Sequence, residues 1–567
     1  MANIASLLKA QLATPERILY RQFIEGGWRE LSAREIAAYA ARWQAFLRAE
    51  GFARGDRVAL CLKNGIHWVA ADLGALGLGL VVVPLYVDDN PENVAWCLEN
   101  SGARLLVVES SRMAYALARS NEPLARSNES LRDVAASLPR VVCLAADPGS
   151  GHDALEAVLP KQAPPFEVAP LEDSVLATIC YTSGTAGRPK GVMLTHGNIL
   201  ANVAGCEDTQ LARPDDLFLS FLPLSHMFER TGGYYLPLSI GAKVAYARSV
   251  SQLAEDFVSE RPTVVFAVPR VFERFASRVN EALAKSPAKK RLFDLVVAAG
   301  GRAARGQAGL LDRLVLALLR SRVAGPVLGR LGGRMRLAVL GGAPLDPAIA
   351  WLFLGLGLPV LQGYGMTEAS PVISVNRPES NVPESVGAPL GNVEVRIAAG
   401  GELLARGASI MKGYWNNPEA SAKSLDREGW LHTGDLAEIR EGKIFIRGRL
   451  KDVLVLSNGE KLPPQDVELA ILGDGVFEQG ILVGEGRPFL TLVAVTRETD
   501  EKSLIQRANE RLKGFPRYIR VRRVVTTLEP WTVDNGLLTP TLKVKRERVQ
   551  KKFGAEIERA YAVGALD

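Results

Sequence analysis

The chain has 567 residues, 47% of them hydrophobic and 23% charged, a globular composition that excludes disordered, collagen-like and repeat-built architectures. Lys and Arg number 68 against 62 Asp and Glu, leaving +6; so mild an excess excludes a nucleic-acid polyelectrolyte binder yet suits anionic ligands or an anionic membrane surface. The five cysteines (Cys61, Cys97, Cys143, Cys180, Cys206) have no CxxC spacing, so neither a disulfide framework nor structural zinc is expected, and a reducing cytoplasm fits.

The N-terminal MANIASLLKAQLA lacks the apolar core and cleavage site of a secretory signal. Residues 32–49 read as a helix, because Ser32 and Glu35 form a capping box ahead of apolar positions at helical spacing. RVALCL (57–62), LVVVPLY (80–86), RLLVVES (104–110) and RVVCLA (140–145) read as buried strands. Strands of this kind alternating with helices predict a mostly parallel sheet covered on both faces. The most apolar runs, 73–87 and 347–361, are shorter than the roughly 20 residues of a spanning helix and read as buried core. LARSNE occurs at 117–122 and again at 124–129, a surface insertion with no expected chemistry; 147–172 reads as a surface connection.

SVLATICYTS (174–183) is the next strand, and a second α/β run follows: TVVFAVP (263–269), a helical stretch over 271–320, RLAVLGGAPL (336–345) and LPVLQGYGMTE (358–368). From about 385 to 447 short strands and turns predict a small β-rich subdomain. The last 120 or so residues form a basic α+β unit. The expected fold is therefore α/β, with two α/β subdomains and a small β-rich subdomain in a large N-terminal domain (1–447), followed by a small mobile α+β C-terminal domain (448–567).

Chemistry concentrates in YTSGTAGRPKG (181–191), directly after an apolar strand. Its glycines let the backbone approach a ligand, and its hydroxyls and one ammonium suit a polyphosphate. The order is not that of a Walker A loop, in which the lysine precedes Ser or Thr. A flexible surface turn is the competing reading; the residue order and the strand in front favour a phosphate loop. In GYGMTE, Glu368 beside Thr367 can hold a Mg²⁺ bridged to phosphate oxygens, with a solvated acid at a helix start as the alternative.

YTSGTAGRPKG resembles the signature of the AMP-forming adenylate synthetase superfamily. Four more motifs stand in the order of that family: GYGMTEAS (363–370), GWLHTGDLAEI (429–439), GRLKDVLVLSNGEKLPPQDVE (448–468) and LTPTLKVKR (538–546). The resemblance implies that Thr182, Ser183, Gly184, Thr185, Gly187 and Lys190 hold the ATP phosphates, and that Glu368 is the metal ligand. It also implies Thr367 on the α-phosphate, Tyr364 on the adenine, and Gly341, Gly342 and Ala343 as the purine wall, for which a plain strand-to-helix turn is the alternative. Asp435 is then the ribose acceptor, with Arg449 a second ribose or phosphate contact and Lys461 a phosphate contact in the adenylating pose. Lys543 is the catalytic lysine of the first half-reaction, Lys451 the hinge, and Gly459 part of a thiol tunnel. His226 lines the acyl site, with a satisfied core histidine as its alternative. Thr541-Leu542 stands where the family commonly has Ser-Gly.

LPLSHMFER (222–230), VPRVFER (268–274), GGAPL and LTPTLK resemble the long-chain branch. The implied activity is an ATP-dependent long-chain fatty acyl-CoA synthetase using ATP, Mg²⁺ and CoA, with no obligate protein partner. A fatty acyl-AMP ligase loading a carrier protein and a catalytically silent lipid- or nucleotide-binding relative are the alternatives. Residues 303–336 carry seven arginines and one acid, with leucines 310, 311, 314 and 318 at helical spacing. This segment reads either as a surface helix packing its leucines inward or as a basic amphipathic helix on an anionic membrane, peripheral to its inner face.

Overall fold

The computed structural model describes residues 3–120, 139–182, 188–457, 460–516, 518–539 and 543–564. The second LARSNE copy, five residues of the phosphate loop (183–187), Gly459 and residues 540–542 lie outside them.

By internal packing the chain divides into two units. The first takes Met1–Thr182, Arg188–Glu394 and Ala405–Leu431, and the second takes Val395–Leu404 and His432–Asp567. Two sheets build the first unit, as expected. One runs in the order 413–414, 190–195, 176–182, 81–84, 57–61, 105–110, 140–145, 153–154. Its central strands pair in parallel, and their apolar residues are buried because helices cover both faces. The helix Ala33–Ala49 begins at the expected capping box: the Ser32 N–H donates to Glu35 Oε2 (2.8 Å) and the Glu35 N–H to Ser32 Oγ (3.3 Å).

The other sheet has nine strands, in the order 388–389, 372–375, 360–365, 337–340, 264–267, 217–220, 243–246, 18–24, 27–32. The six from 360–365 to 18–24 are parallel. The helical stretch expected over 271–320 is three helices, Pro269–Ala284, Pro287–Ala304 and Leu310–Gly329. Proline at the first helical position restarts the second, and Gly309 precedes the third. The connection 147–172 contains a two-residue strand (153–154) and a helical turn, Leu155–Val158.

In the second unit, strands Leu431–Arg440 and Lys443–Arg449 form an antiparallel hairpin within a four-stranded sheet. A three-stranded sheet (479–483, 490–495, 521–527) follows, packed by helices that include Pro464–Leu472 and Glu501–Arg511 around Leu482, Leu492, Leu504 and Ile471.

Candidate active site

Parallel strands direct all their C-terminal ends to one edge, where an α/β sheet ordinarily binds its ligand. Four of the motifs sit on that edge of the nine-stranded sheet. Strand 217–220 leads into LPLSH, 264–267 into VPR, 337–340 into Gly341–Ala343, and 360–365 into Met366–Glu368. The chain order scatters these segments over about 150 residues; the parallel register collects them.

The residues of the expected phosphate loop that the structure describes belong to a hairpin. Strand 176–182 pairs antiparallel with 190–195, Thr182 opposite Lys190 and Tyr181 opposite Gly191. Thr182 Oγ1 donates to the Lys190 carbonyl (3.5 Å). Gly191 is required by close approach, since a Cβ there would lie 2.6 Å from Ile179 Cγ2. Strand 413–414 pairs along the far side of 190–195, with Tyr414 opposite Val192.

Tyr414 joins two of the expected site residues. Its hydroxyl donates to Glu368 Oε1 at 2.8 Å, and the Lys190 ammonium stands 5.1 Å from its ring centroid. Glu368 is 8% exposed, in the turn Thr367–Ala369, and its carbonyl accepts the Met411 N–H (2.8 Å). One carboxylate oxygen is thus oriented by a phenol beside an exposed lysine. Together with the Thr367 hydroxyl, this donor set suits a Mg²⁺ whose remaining ligands are phosphate oxygens. Burial, then the nearby Glu368 carboxylate, pushes the Tyr414 hydroxyl above its ordinary range, so it stays a donor. Tyr414 lies outside every motif, because nothing in GYW at 413–415 announces a contact with a residue 46 positions earlier.

Around the expected purine wall, Gly342 has φ +79° and is exposed together with Ala343. A Cβ on Gly341 would lie 3.0 Å from the Phe228 ring, so a small residue is needed there. Tyr364 pairs with Ser374 beside a register shift and is half-buried. His226 caps the short helix Met227–Glu229: its Nδ1 accepts the Phe228 N–H at 3.2 Å, so the neutral ring carries its proton on Nε2.

Beyond His226 the helix widens to i→i+5 spacing over Arg230–Tyr235, a feature often found at functional sites. Its first residue anchors a fully buried network. Arg230 pairs with Asp72 and donates to Thr178 Oγ1 (2.9 Å), while the Tyr235 and Tyr234 hydroxyls donate to Asp72 (2.8 and 3.2 Å). Burial opposes the Arg230 charge, but the Asp72 carboxylate outweighs it and the guanidinium pKa lies above its ordinary value. Thr178 belongs to the strand that leads into the phosphate loop, so this network ties that strand to the segment carrying His226. Glu229 is also buried, and burial pushes its pKa up to about 8, with the Ser220 hydroxyl pulling the other way.

In the second unit, Asp435 and Arg449 are cross-strand partners in register, with Arg449 Nε 3.1 Å from Asp435 Oδ1. Asp435 is buried, and its N–H donates to Thr433 Oγ1 (3.1 Å). Lys451 lies in the turn Leu450–Asp452, and Lys461 pairs with Val455. The Lys543 N–H donates to Thr539 Oγ1 (3.0 Å), its carbonyl accepts the Thr539 N–H (2.8 Å), and its side chain is exposed. Of the expected residues, the structure therefore brings together Thr182 with Lys190, Lys190 with Glu368 through Tyr414, and Asp435 with Arg449.

Among known proteins, a long-chain-fatty-acid–CoA ligase of Mycobacterium bovis, FadD15, is 29% identical across 99% of this chain and 97% of its own length. The peroxisomal long chain acyl-CoA synthetase 7 of Arabidopsis thaliana is 30% identical across 90% and 79%. The ATP-bound crystal structure of MatB from Rhodopseudomonas palustris superposes with a TM-score of 0.75 at 22% identity, covering 98% of this chain and 99% of that one. An anthranilate CoA ligase, AuaEII, in complex with anthranoyl-AMP gives a TM-score of 0.75 at 19% identity, covering 99% and 98%. The pattern of the AMP-binding enzyme family matches residues 8–415, and that of the AMP-binding enzyme C-terminal domain matches 451–564. With most of its length matched, the chain belongs to the AMP-binding enzyme family.

Proposed function

We propose that this protein is an ATP-dependent long-chain fatty acyl-CoA synthetase of the cytoplasm, with an adenylate-forming domain over 1–447 and a mobile C-terminal domain over 448–567. The observation that carries the reading is the full-length similarity to ligases of that name; the convergence of Lys190, Tyr414 and Glu368 supports the adenylating step. The fatty-acid carboxylate attacks the α-phosphorus of Mg·ATP, the bond to the bridging oxygen breaks, and pyrophosphate leaves. The CoA thiol, losing its proton, then attacks the acyl carbonyl and expels AMP.

Both partners of the first step are anionic, so it needs positive charge fixed where negative charge develops. Lys190 and the loop Thr182, Ser183, Gly184, Thr185 and Gly187 grip the phosphates. Glu368 would help to hold the Mg²⁺ that arrives with ATP, which would neutralise phosphate charge there, and Thr367 meets the α-phosphate. Tyr364 lies on the adenine against Gly342 and Ala343, and His226 lines the acyl site. Asp435, oriented by Arg449, accepts from the ribose hydroxyls, and Lys461 reaches the phosphates. Lys543 bridges carboxylate and α-phosphate. Rotation at Lys451 then brings the segment around Gly459 to the thiol path. The test is pyrophosphate release across C2–C20 acids, with and without CoA. Thioester formed from long acids and CoA alone supports the reading. Adenylate that accumulates unless a carrier protein is supplied would replace it with the carrier-loading ligase.

A further inference from the structure

The helix Leu310–Gly329 buries one residue, Ala324. Its inner side packs Val323, Ala324, Val327 and Leu328 near Phe275, Phe293 and Leu356, and Arg320 Nε donates to the Leu356 carbonyl (3.2 Å). Over Leu310–Leu318 its outer side does not meet the domain. Leu310, Leu311, Leu314 and Leu318 are 84, 79, 55 and 59% exposed, so of the two readings of this segment the one that packs these leucines inward is overturned. At 100° per residue they fall within an arc of about 100°. Arg313 borders the arc on one side and Arg322 on the other, and both are exposed. The helix's one acid, Asp312, is turned aside: it accepts from Arg302 Nε (3.0 Å) and from the Gly309 N–H (3.1 Å). On the helix before it, Leu292 and Leu295 are also exposed (38 and 45%).

Four leucines held in water cost free energy unless something covers them, and a stripe this one-sided marks an interaction surface. A second copy would have to set its own Arg313 and Arg322 beside these in a two-fold contact, with no acid from this face to offset them. An anionic bilayer answers both features at once: leucines enter the acyl boundary while flanking guanidiniums reach the headgroup phosphates.

We propose that the outer face of helix 310–329 docks this protein on an anionic lipid surface, with Leu310, Leu311, Leu314 and Leu318 inserted and Arg313 and Arg322 at the phosphates. The chain has no helix among its described residues long and apolar enough to cross a membrane, and this face gives it a peripheral attachment that stands whichever acid the active site takes.

Full-length protein is sedimented with neutral phosphatidylcholine vesicles and with vesicles containing 20–30% phosphatidylserine, at about 0.05 M and 0.5 M salt. The wild type is expected to bind anionic vesicles at least tenfold more tightly than neutral ones, and less tightly at high salt. Arg313→Gln with Arg322→Gln should weaken low-salt binding by roughly 30-fold, about fivefold for each charge. Leu311→Gln, Leu314→Gln and Leu318→Gln together should abolish it. Both variants should keep wild-type turnover of a short water-soluble acid, because none of these side chains lies in the active site. Equal binding to neutral and anionic vesicles, or variants that bind like wild type, overturns the proposal. So does a dimer in sedimentation equilibrium that the leucine variant dissociates while vesicle binding is absent, which would make the occupant a second copy.

Discussion

Tyr414→Phe isolates the contact that links Lys190 to Glu368 in the proposed phosphate site. The change removes one hydrogen bond, from the phenol to Glu368 Oε1 at 2.8 Å, and keeps the ring facing Lys190. A hydrogen bond to a charged acceptor is worth about 1.5–3 kcal/mol, and each 1.36 kcal/mol is tenfold in rate. Glu368 is nearly buried, so water replaces the lost donor poorly. If the bond orients the carboxylate for Mg·ATP, pyrophosphate release should fall roughly 10- to 100-fold, and the Mg²⁺ concentration for half-maximal rate should rise. Tyr414→Leu also removes the ring, adding about two- to fivefold for an exposed cation–π contact. The control is thioester formation from supplied acyl-AMP and CoA, which needs neither Mg²⁺ nor the pyrophosphate site and should be unchanged. Wild-type pyrophosphate release by Tyr414→Phe across the Mg²⁺ series would refute the reasoning. So would an equal fall in both half-reactions, which would mean that the hydroxyl serves folding and not the site.

Lys543→Ala should abolish acyl-AMP formation, commonly by roughly 10²–10³ for one transition-state charge contact, while thioester formation from supplied acyl-AMP survives; loss of both halves would remove its assignment. Arg230→Met leaves the Asp72 carboxylate buried without its cation and should cost about 3–5 kcal/mol in urea unfolding, most of it recovered by adding Asp72→Leu; a single-mutant cost under about 1 kcal/mol would show the network to be dispensable. For Glu229, folding raises the pKa from 4.5 to about 8, so the folded state holds a proton that the unfolded chain gives up. Stability is therefore full below pH 4.5 and lost progressively as pH rises to about 8, with a ceiling of roughly 5 kcal/mol that interior relaxation reduces. Glu229→Gln should gain on wild type across that window by urea unfolding at pH 5, 6.5 and 8.5, and a difference that ignores pH would refute the burial argument.

Much of this site is legible in the sequence because its residues come in contiguous runs, each placed by a strand that is itself legible. Within the runs at 57–62, 80–86 and 104–110, the cores Val58–Leu62, Leu80–Val83 and Leu105–Val108 are unbroken apolar stretches because parallel strands are covered on both faces, and that is the pattern they show. What escaped depends on contacts made across the fold. Tyr414 carries no signal in its own segment; its meaning comes from strand 413–414 pairing beside 190–195, which brings it to a carboxylate 46 residues away. Glu229 sits inside a motif read for its histidine, and its perturbed chemistry arises from burial that no local pattern encodes.

Helix 310–329 shows the limit most plainly. Leucines at helical spacing prove that a helix has an apolar face, but periodicity does not say what that face meets. Here the helix is apolar on two sides. Val323, Ala324 and Val327 meet the domain, while Leu310, Leu311, Leu314 and Leu318 meet solvent. The charges fit the exposed arc but do not by themselves choose it. Asp312 lies away from the exposed leucine arc and is neutralised by Arg302, whereas Arg313 and Arg322 stand on the arc's borders. A helix that packed those leucines inward would have to bury the stems of both arginines at the seam. That costs little, because an arginine stem can lie along apolar surface while its guanidinium stays in water. What turns the leucines outward is the opposite face: Val323, Ala324 and Val327 pack near Phe275, Phe293 and Leu356, a contact made across the fold that no local pattern announces.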